Sequence, residues 1–152
     1  MHDRAVPAAA EPVLEIEGLA ISFLTRAGEI PAVVDFDLTI RAGEAVALVG
    51  ESGCGKSTVA NAIMRYLGRN GRIAAGSLRF KGRDLLAMRE DELRAVRGNE
   101  IAMVYQEPFA ALNPSLTVGR QLAEVSTVHH GLSEAEARAK AAEILADVRL
   151  AD

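Results

Sequence analysis

The sequence predicts an α/β fold, and three observations carry that expectation. Two stretches near the start, 13–25 and 32–40, alternate apolar and polar residues as half-buried strands do. A continuous apolar run, "AVALV" (45–49), follows and leads through a glycine-rich loop into a helical pattern. Beyond it, helical spacing recurs at 90–98, 119–130 and 133–148, with one more apolar run, "IAMVY" (101–105), among them. A chain of 152 residues suits one domain with a real core.

Bulk properties exclude several classes. The formal net charge is −4, which argues against nucleic acid as a partner, because phosphate backbones select basic surfaces. No apolar run approaches the roughly 18 residues of a membrane span. The opening "MHDRAVPAAAEP" has no apolar core of a secretion signal. A single cysteine, Cys54, excludes an internal disulfide and fits a reducing cytoplasm.

In chain order, residues 1–12 are Ala- and Pro-rich and read as a flexible tail. Strand 13–25, a turn at 26–31, strand 32–40 and a second turn at 41–43 make an antiparallel ribbon. The run within "EAVALVG" (44–50) is apolar without alternation, so both its faces should be buried, as in a parallel sheet. From Lys56, the residues Val59, Ile63 and Tyr66/Leu67 repeat at helical spacing, and Gly68 is the expected stop. "GSLRFKGRDL" (76–85) reads as strand and turn, and "EDELRAVRG" (90–98) as a short amphipathic surface helix. "EIAMVY" (100–105) is expected as a second buried strand. "QEPFAALNPSLTV" (106–118) is a loop. In "SEAEARAKAAEILADV" (133–148), Ser133 and Glu136 predict a capping box, and Glu134/Arg138 and Glu136/Lys140 predict ion pairs one turn apart. His129 and His130 are expected as solvated residues at a helix end.

"GESGCGKS" (50–57) carries the chemistry. A polyphosphate concentrates negative charge in a small volume. Successive backbone N–H groups of a glycine-rich loop converge on such a group, and the positive end of the following helix adds to the attraction. Gly50, Glu51, Ser52, Gly53, Cys54 and Gly55 would form the cradle, and Lys56 would put its ammonium on the outer phosphates. Ser57 would offer a hydroxyl to Mg²⁺, and Thr58 a further contact to an inner phosphate. Cys54 serves this loop as a small residue whose backbone is used, although a thiol at a helix start can be reactive.

The loop is shared by kinases, GTPases and transport ATPases. A longer comparison discriminates among them. Residues 11–67, with the "RAGE" turn leading into the loop strand and "GESGCGKST" following, resemble the start of an ATP-binding cassette (ABC) transporter ATPase. "GSLRFKGRDL" is similar to that family's "G-x-I-x-F-x-G-x-D-L" stretch. "RGNEIAMVYQEPFAALNPSLTVGRQLAE" resembles the Q-loop of the branch that imports peptides, nickel or glutathione. The resemblance covers residues 13–150. It departs from the family at Phe109-Ala110-Ala111, where Met-Thr-Ser is frequent, and at Arg149, where Gly is frequent.

The resemblance implies a P-loop NTPase core of the α/β class, with an N-terminal antiparallel β subdomain and the start of a helical subdomain. It divides the chain into a tail (1–12), the β subdomain with the nucleotide core (13–105) and the Q-loop with the beginning of the helical subdomain (106–152). It implies ATP and Mg²⁺ as cofactors. Gln106 matches the Q-loop glutamine, whose amide can offer an oxygen to Mg²⁺ and an N–H to water. Phe23 matches the aromatic that stacks on adenine, and it is equally well read as a core residue alternating with Leu19 and Ile21. Implied partners are a second ATPase domain in a composite dimer, permease subunits contacted around 106–130, and a capture protein acting indirectly. The implied location is the cytoplasmic face of the inner membrane, as a peripheral protein.

The sequence contains no "LSGGQ" signature, no apolar strand ending in Asp-Glu and no switch histidine, so the C-terminal half of that fold is missing from these residues. Hydrolysis needs a carboxylate for the metal and a group that orients water. Two other readings therefore stand beside an importer ATPase: a non-hydrolysing nucleotide-binding module, and an inactive remnant. A small kinase is disfavoured, since neither its lid nor its substrate arginines can be placed. An apolar strand with an uncovered edge also invites aggregation, so marginal stability is expected.

Overall fold

The computed structural model describes residues 11–107 and 112–150. The chain divides into two compact units, one ending at Glu90 and one beginning at Asp91.

The first unit is built on four antiparallel strands in the order β2-β1-β3-β4: β1 is Pro12–Thr25, β2 Gly28–Arg41, β3 Gly71–Phe80 and β4 Arg83–Asp84. Both ribbon strands are longer than the alternation predicts. β1 opens at Pro12, inside the expected tail, whose residues 1–10 lie outside the described ones. β2 opens at Gly28, because Glu29, Ile30 and Pro31 pair with Leu24, Phe23 and Ser22 and leave only Arg26–Ala27 to turn. β3 likewise begins five residues before the expected Gly76, since Gly71, Arg72, Ile73 and Ala75 pair with β1. The core of this unit lies where β1 and β3 meet. Ile16, Leu19, Ile21 and Leu78 are almost wholly buried there, with Phe80 and Leu85 beside them.

Helix α1 (Lys56–Ile63) turns Val59 and Ala62 inward. It stops before the expected Gly68. Arg65 takes a left-handed φ of 55°, and its N–H bonds to Ala62 O while Tyr66 N–H reaches Asn61 O. This pairing closes the last turn of a helix. The Arg65 guanidinium then donates to the carbonyls of Leu85 and Leu86 at 2.8 and 2.9 Å, a tertiary reason for a non-glycine residue in that conformation.

The second unit holds α2 (Glu90–Val96, continuing from the unit boundary), α3 (Val118–His130) and α4 (Glu134–Asp147). Thr117 caps α3 by accepting from Arg120 N–H. Ser133 and Glu136 form the predicted capping box at the start of α4. Glu134 pairs with Arg138 as expected, but Lys140 pairs with Glu143 at 3.0 Å, because the Glu136 carboxylate is taken up by Ser133. The core of this unit is small-residue: Ala123, Ala137 and Ala141 are buried, with Leu93 and Val96. His129 is not simply solvated. Its ring lies over Gly98, where an added Cβ would come within 2.9 Å of Nε2.

Neither expected buried strand forms. Residues 44–50 are not a buried strand: they join no sheet, and Val46, Leu48 and Val49 are exposed, Val49 at 89%. Residues 100–105 are not one either: Ile101 makes only an isolated bridge to Arg97, and Val104 is 96% exposed. A strand with two apolar faces needs a neighbour along each edge and a layer on each face. Among the described residues nothing supplies them.

Candidate phosphate-binding site

The site grows from one local conflict. The chain must leave the segment ending at Val49, reverse, and enter a helix at Lys56, all within six residues. Gly53 and Gly55 make this reversal with left-handed φ of 84° and 94°, a conformation that costs other residues about 1–2 kcal/mol. Space adds a second demand at Gly55. A Cβ there would lie 3.0 Å from Ala32 O and 3.1 Å from Val33 Cγ2, so the loop is seated directly on β2. At Gly50 a Cβ would lie 2.6 Å from Cys54 Sγ.

Helix α1 begins at Lys56 with Gly55 as its cap, and no side chain bonds to its first turn. No acidic residue stands in that turn. The first N–H groups of a helix lack partners within it and carry the positive end of its dipole. At most helix starts a Ser, Thr or Asp side chain satisfies them, as Thr117 and Ser133 do at α3 and α4. The α1 start lacks such a cap, and this leaves it suited to an anion.

Lys56 Nζ lies over the loop mouth, donating to the carbonyls of Gly50 and Glu51 at 2.8 and 2.6 Å and approaching Cys54 Sγ at 3.4 Å. The ammonium is thus held at the cradle by neutral acceptors, which charged phosphate oxygens can replace with stronger bonds. Ser57 is exposed on the first turn, and Thr58 is half-buried beside it. The donor set fits a triphosphate with Mg²⁺: the uncapped first turn of α1, one ammonium and one hydroxyl of the hard-oxygen type. Residues 50–58 form one continuous loop and helix start.

Phe23 stands on β1 between Ile30 of β2 and Gly71 of β3. It is half-buried, and a Cβ on Gly71 would fall 2.9 Å from its ring. Gln106 is exposed in the second unit. Residues 108–111, including Phe109-Ala110-Ala111, lie outside the described ones.

Sequence reasoning missed one cluster. Ser22, buried at 4%, donates its hydroxyl hydrogen to Glu29. Arg72 grips both oxygens of Glu29 at 2.7 Å and approaches Ser22 Oγ at 3.4 Å. The Glu29 carboxyl is held below its usual range, first by the hydrogen bond from Arg72 and next by that from Ser22. The available signal was a polar residue at the buried end of an alternating strand.

Strand ribbon, glycine loop and uncapped helix start place the chain in the phosphate-loop class of α/β proteins. The ABC transporter family matches residues 33–152, and the chain belongs to that family. It is 49% identical over 148 residues to a peptide import ATP-binding protein of Brucella abortus, and that match takes in 93% of this chain and 44% of the relative. A second such protein of the same organism is 45% identical over 141 residues, with 93% and 42% covered. One from Brucella ovis is 47% identical over 148 residues. The chain thus spans less than half the length of these curated relatives. No helix among the described residues is long and apolar enough to cross a membrane.

Proposed function

We propose that this chain supplies the ATP-binding part of an importer ATPase, acting on peptides or related small solutes, and that it couples ATP binding and hydrolysis to transport. The observation that carries the reading is the uncapped start of α1, with Lys56 held over it by two loop carbonyls. Residues 50–55 cradle the phosphates, Lys56 neutralises the outer ones, Ser57 offers its hydroxyl to Mg²⁺ and Phe23 packs on the adenine; Gln106 keeps the role toward Mg²⁺ and water that the Q-loop resemblance implies. Mg²⁺ would supply charge neutralisation between phosphates. The work assigned to these residues is binding and orientation. Peptide-like cargo rests on the similarity to peptide import ATP-binding proteins and on the Q-loop resemblance around Gln106.

The partners in this reading are a second ATPase domain face to face with this one, permease subunits reached through residues 106–130, and a capture protein that acts through the permease. The place of action is the cytoplasmic face of the inner membrane, at its periphery.

Equilibrium binding of Mg-ATP to the folded chain tests the proposal. Lys56→Ala should lower affinity by about a hundredfold or more, as expected when a charge-assisted contact to phosphate is removed. A folded wild-type chain that binds no ATP, or a variant that binds as tightly as wild type, would refute it.

A further inference from the structure

The backbone around Phe23 is not secured by an uninterrupted ladder. The β1–β2 register shifts between Ile21 and Ser22, and the β1–β3 register shifts between Ala20 and Ile21. Residues 22–25 are therefore registered separately from the strand before them. A slip of one residue in such a segment would move Phe23 to the other face of the sheet.

The Ser22–Glu29–Arg72 cluster sits where the new register begins. Phe23 shares a row with Ile30 on β2 and Gly71 on β3. Each of the three cluster residues is the immediate chain neighbour of one member of that row. Ser22 adjoins Phe23, Glu29 adjoins Ile30 and Arg72 adjoins Gly71. Successive side chains of a strand point to opposite faces, so the cluster pins all three strands from the face away from the ring. Its geometry is specific. A guanidinium holds a carboxylate at two points, which fixes orientation as well as distance. The buried Ser22 hydroxyl, satisfied by Glu29, ties the middle strand to the same group.

We infer that Ser22, Glu29 and Arg72 are positioning residues that set the register of Phe23 and thereby tune recognition of the nucleobase, without touching the nucleotide. This inference rests on the proposed packing of Phe23 against adenine.

The test compares affinities for Mg-ATP and for Mg-tripolyphosphate, which has the phosphates but no base. The full chain is used as wild type, Glu29→Gln, Phe23→Ala and the double variant, with folding checked by far-ultraviolet circular dichroism. Glu29→Gln should weaken ATP by about three- to tenfold and change tripolyphosphate by less than about twofold, the scale of one impaired contact felt only at the base. In the Phe23→Ala background, Glu29→Gln should weaken ATP no further. Equal weakening of both ligands, additive losses in the double variant, or an unchanged ATP affinity would each overturn the inference. If Phe23→Ala leaves the ratio of the two affinities unchanged, the adenine assignment itself fails and the positioning role falls with it. Should Glu29→Gln not fold, Ser22→Ala keeps the Glu29–Arg72 pair and should show the same base-selective loss at smaller size.

Discussion

β1 and the run at 45–49 are both apolar, and they meet opposite fates. In β1, Leu19 is 0% exposed, flanked by β2 and β3. At 45–49 the apolar content is greater per residue, yet Val46, Leu48 and Val49 face outward and pair with no strand. The difference teaches that an apolar sequence states a demand for cover, whereas neighbours in space decide whether it is met. β1 finds its neighbours within 16 residues of its end in β2 and within 55 in β3. The run at 45–49 finds none among the described residues.

That contrast can be tested by substitution. The largest effect is expected at Leu19→Ala, which should destabilise the first unit by about 2–5 kcal/mol, the range for truncating a fully buried leucine, as read by denaturant unfolding. A loss below about 1 kcal/mol would mean that β1 is no better covered than the exposed run.

A smaller and opposite effect is expected at the end of α4. Arg149 adopts φ of 60°, and its N–H bonds to Ala146 O while Leu150 N–H reaches Leu145 O. Arg149→Gly should stabilise α4 by about 1 kcal/mol through relief of the left-handed conformation. Thermal unfolding would show the gain, and an unchanged or lower midpoint would show that the arginine side chain contributes more than its backbone costs. Arg149 is where the resembled family often carries Gly, so the substitution separates local backbone preference from packing.

The ribbon should also respond to pH through Glu29. Its folded-state pKa lies below the usual range, so its contribution is fully present above the ordinary glutamate value of about 4.3. That contribution is lost as pH falls through the lower folded value. Wild type should therefore melt above Glu29→Gln at neutral pH, and the two curves should converge in acid. A gap that persists below the folded value would show that the carboxylate's charge is not what the clamp uses.

The smallest effect is expected at Val49→Ser, within about 0.5 kcal/mol, as for an exposed position. A loss above about 1 kcal/mol would break the comparison by showing that this run is covered in solution.

How far the sequence could be read differs by feature, for physical reasons. The ribbon was legible because alternation is a local pattern, whereas the true length of its turn is not: Glu29, Ile30 and Pro31 look like turn chemistry until their partners on β1 are known. The end of α1 is not legible because Arg65, a non-glycine residue, takes the left-handed conformation that closes the last turn, and its guanidinium is anchored on carbonyls 20 and 21 residues away. His129 gave no warning that it packs on Gly98.

The reversal at 50–55 and the helix start at Lys56 were legible because their determinants are consecutive: glycines for the reversal and an immediate helical pattern. The capping box of α4 was legible for the same reason, since Ser133 and Glu136 meet within one turn. The sequence alone determined these features, along with the antiparallel ribbon, because each is settled by residues that touch through a few intervening bonds or one hairpin. Only the tertiary structure decided that Ser22, Glu29 and Arg72 meet, that Gly55 seats on Ala32 and Val33, and that 45–49 lies uncovered. Arg72 reaches Ser22 and Glu29 across 50 and 43 residues of chain. Contacts at that separation leave no periodicity in the sequence, because the folded path of the chain creates them.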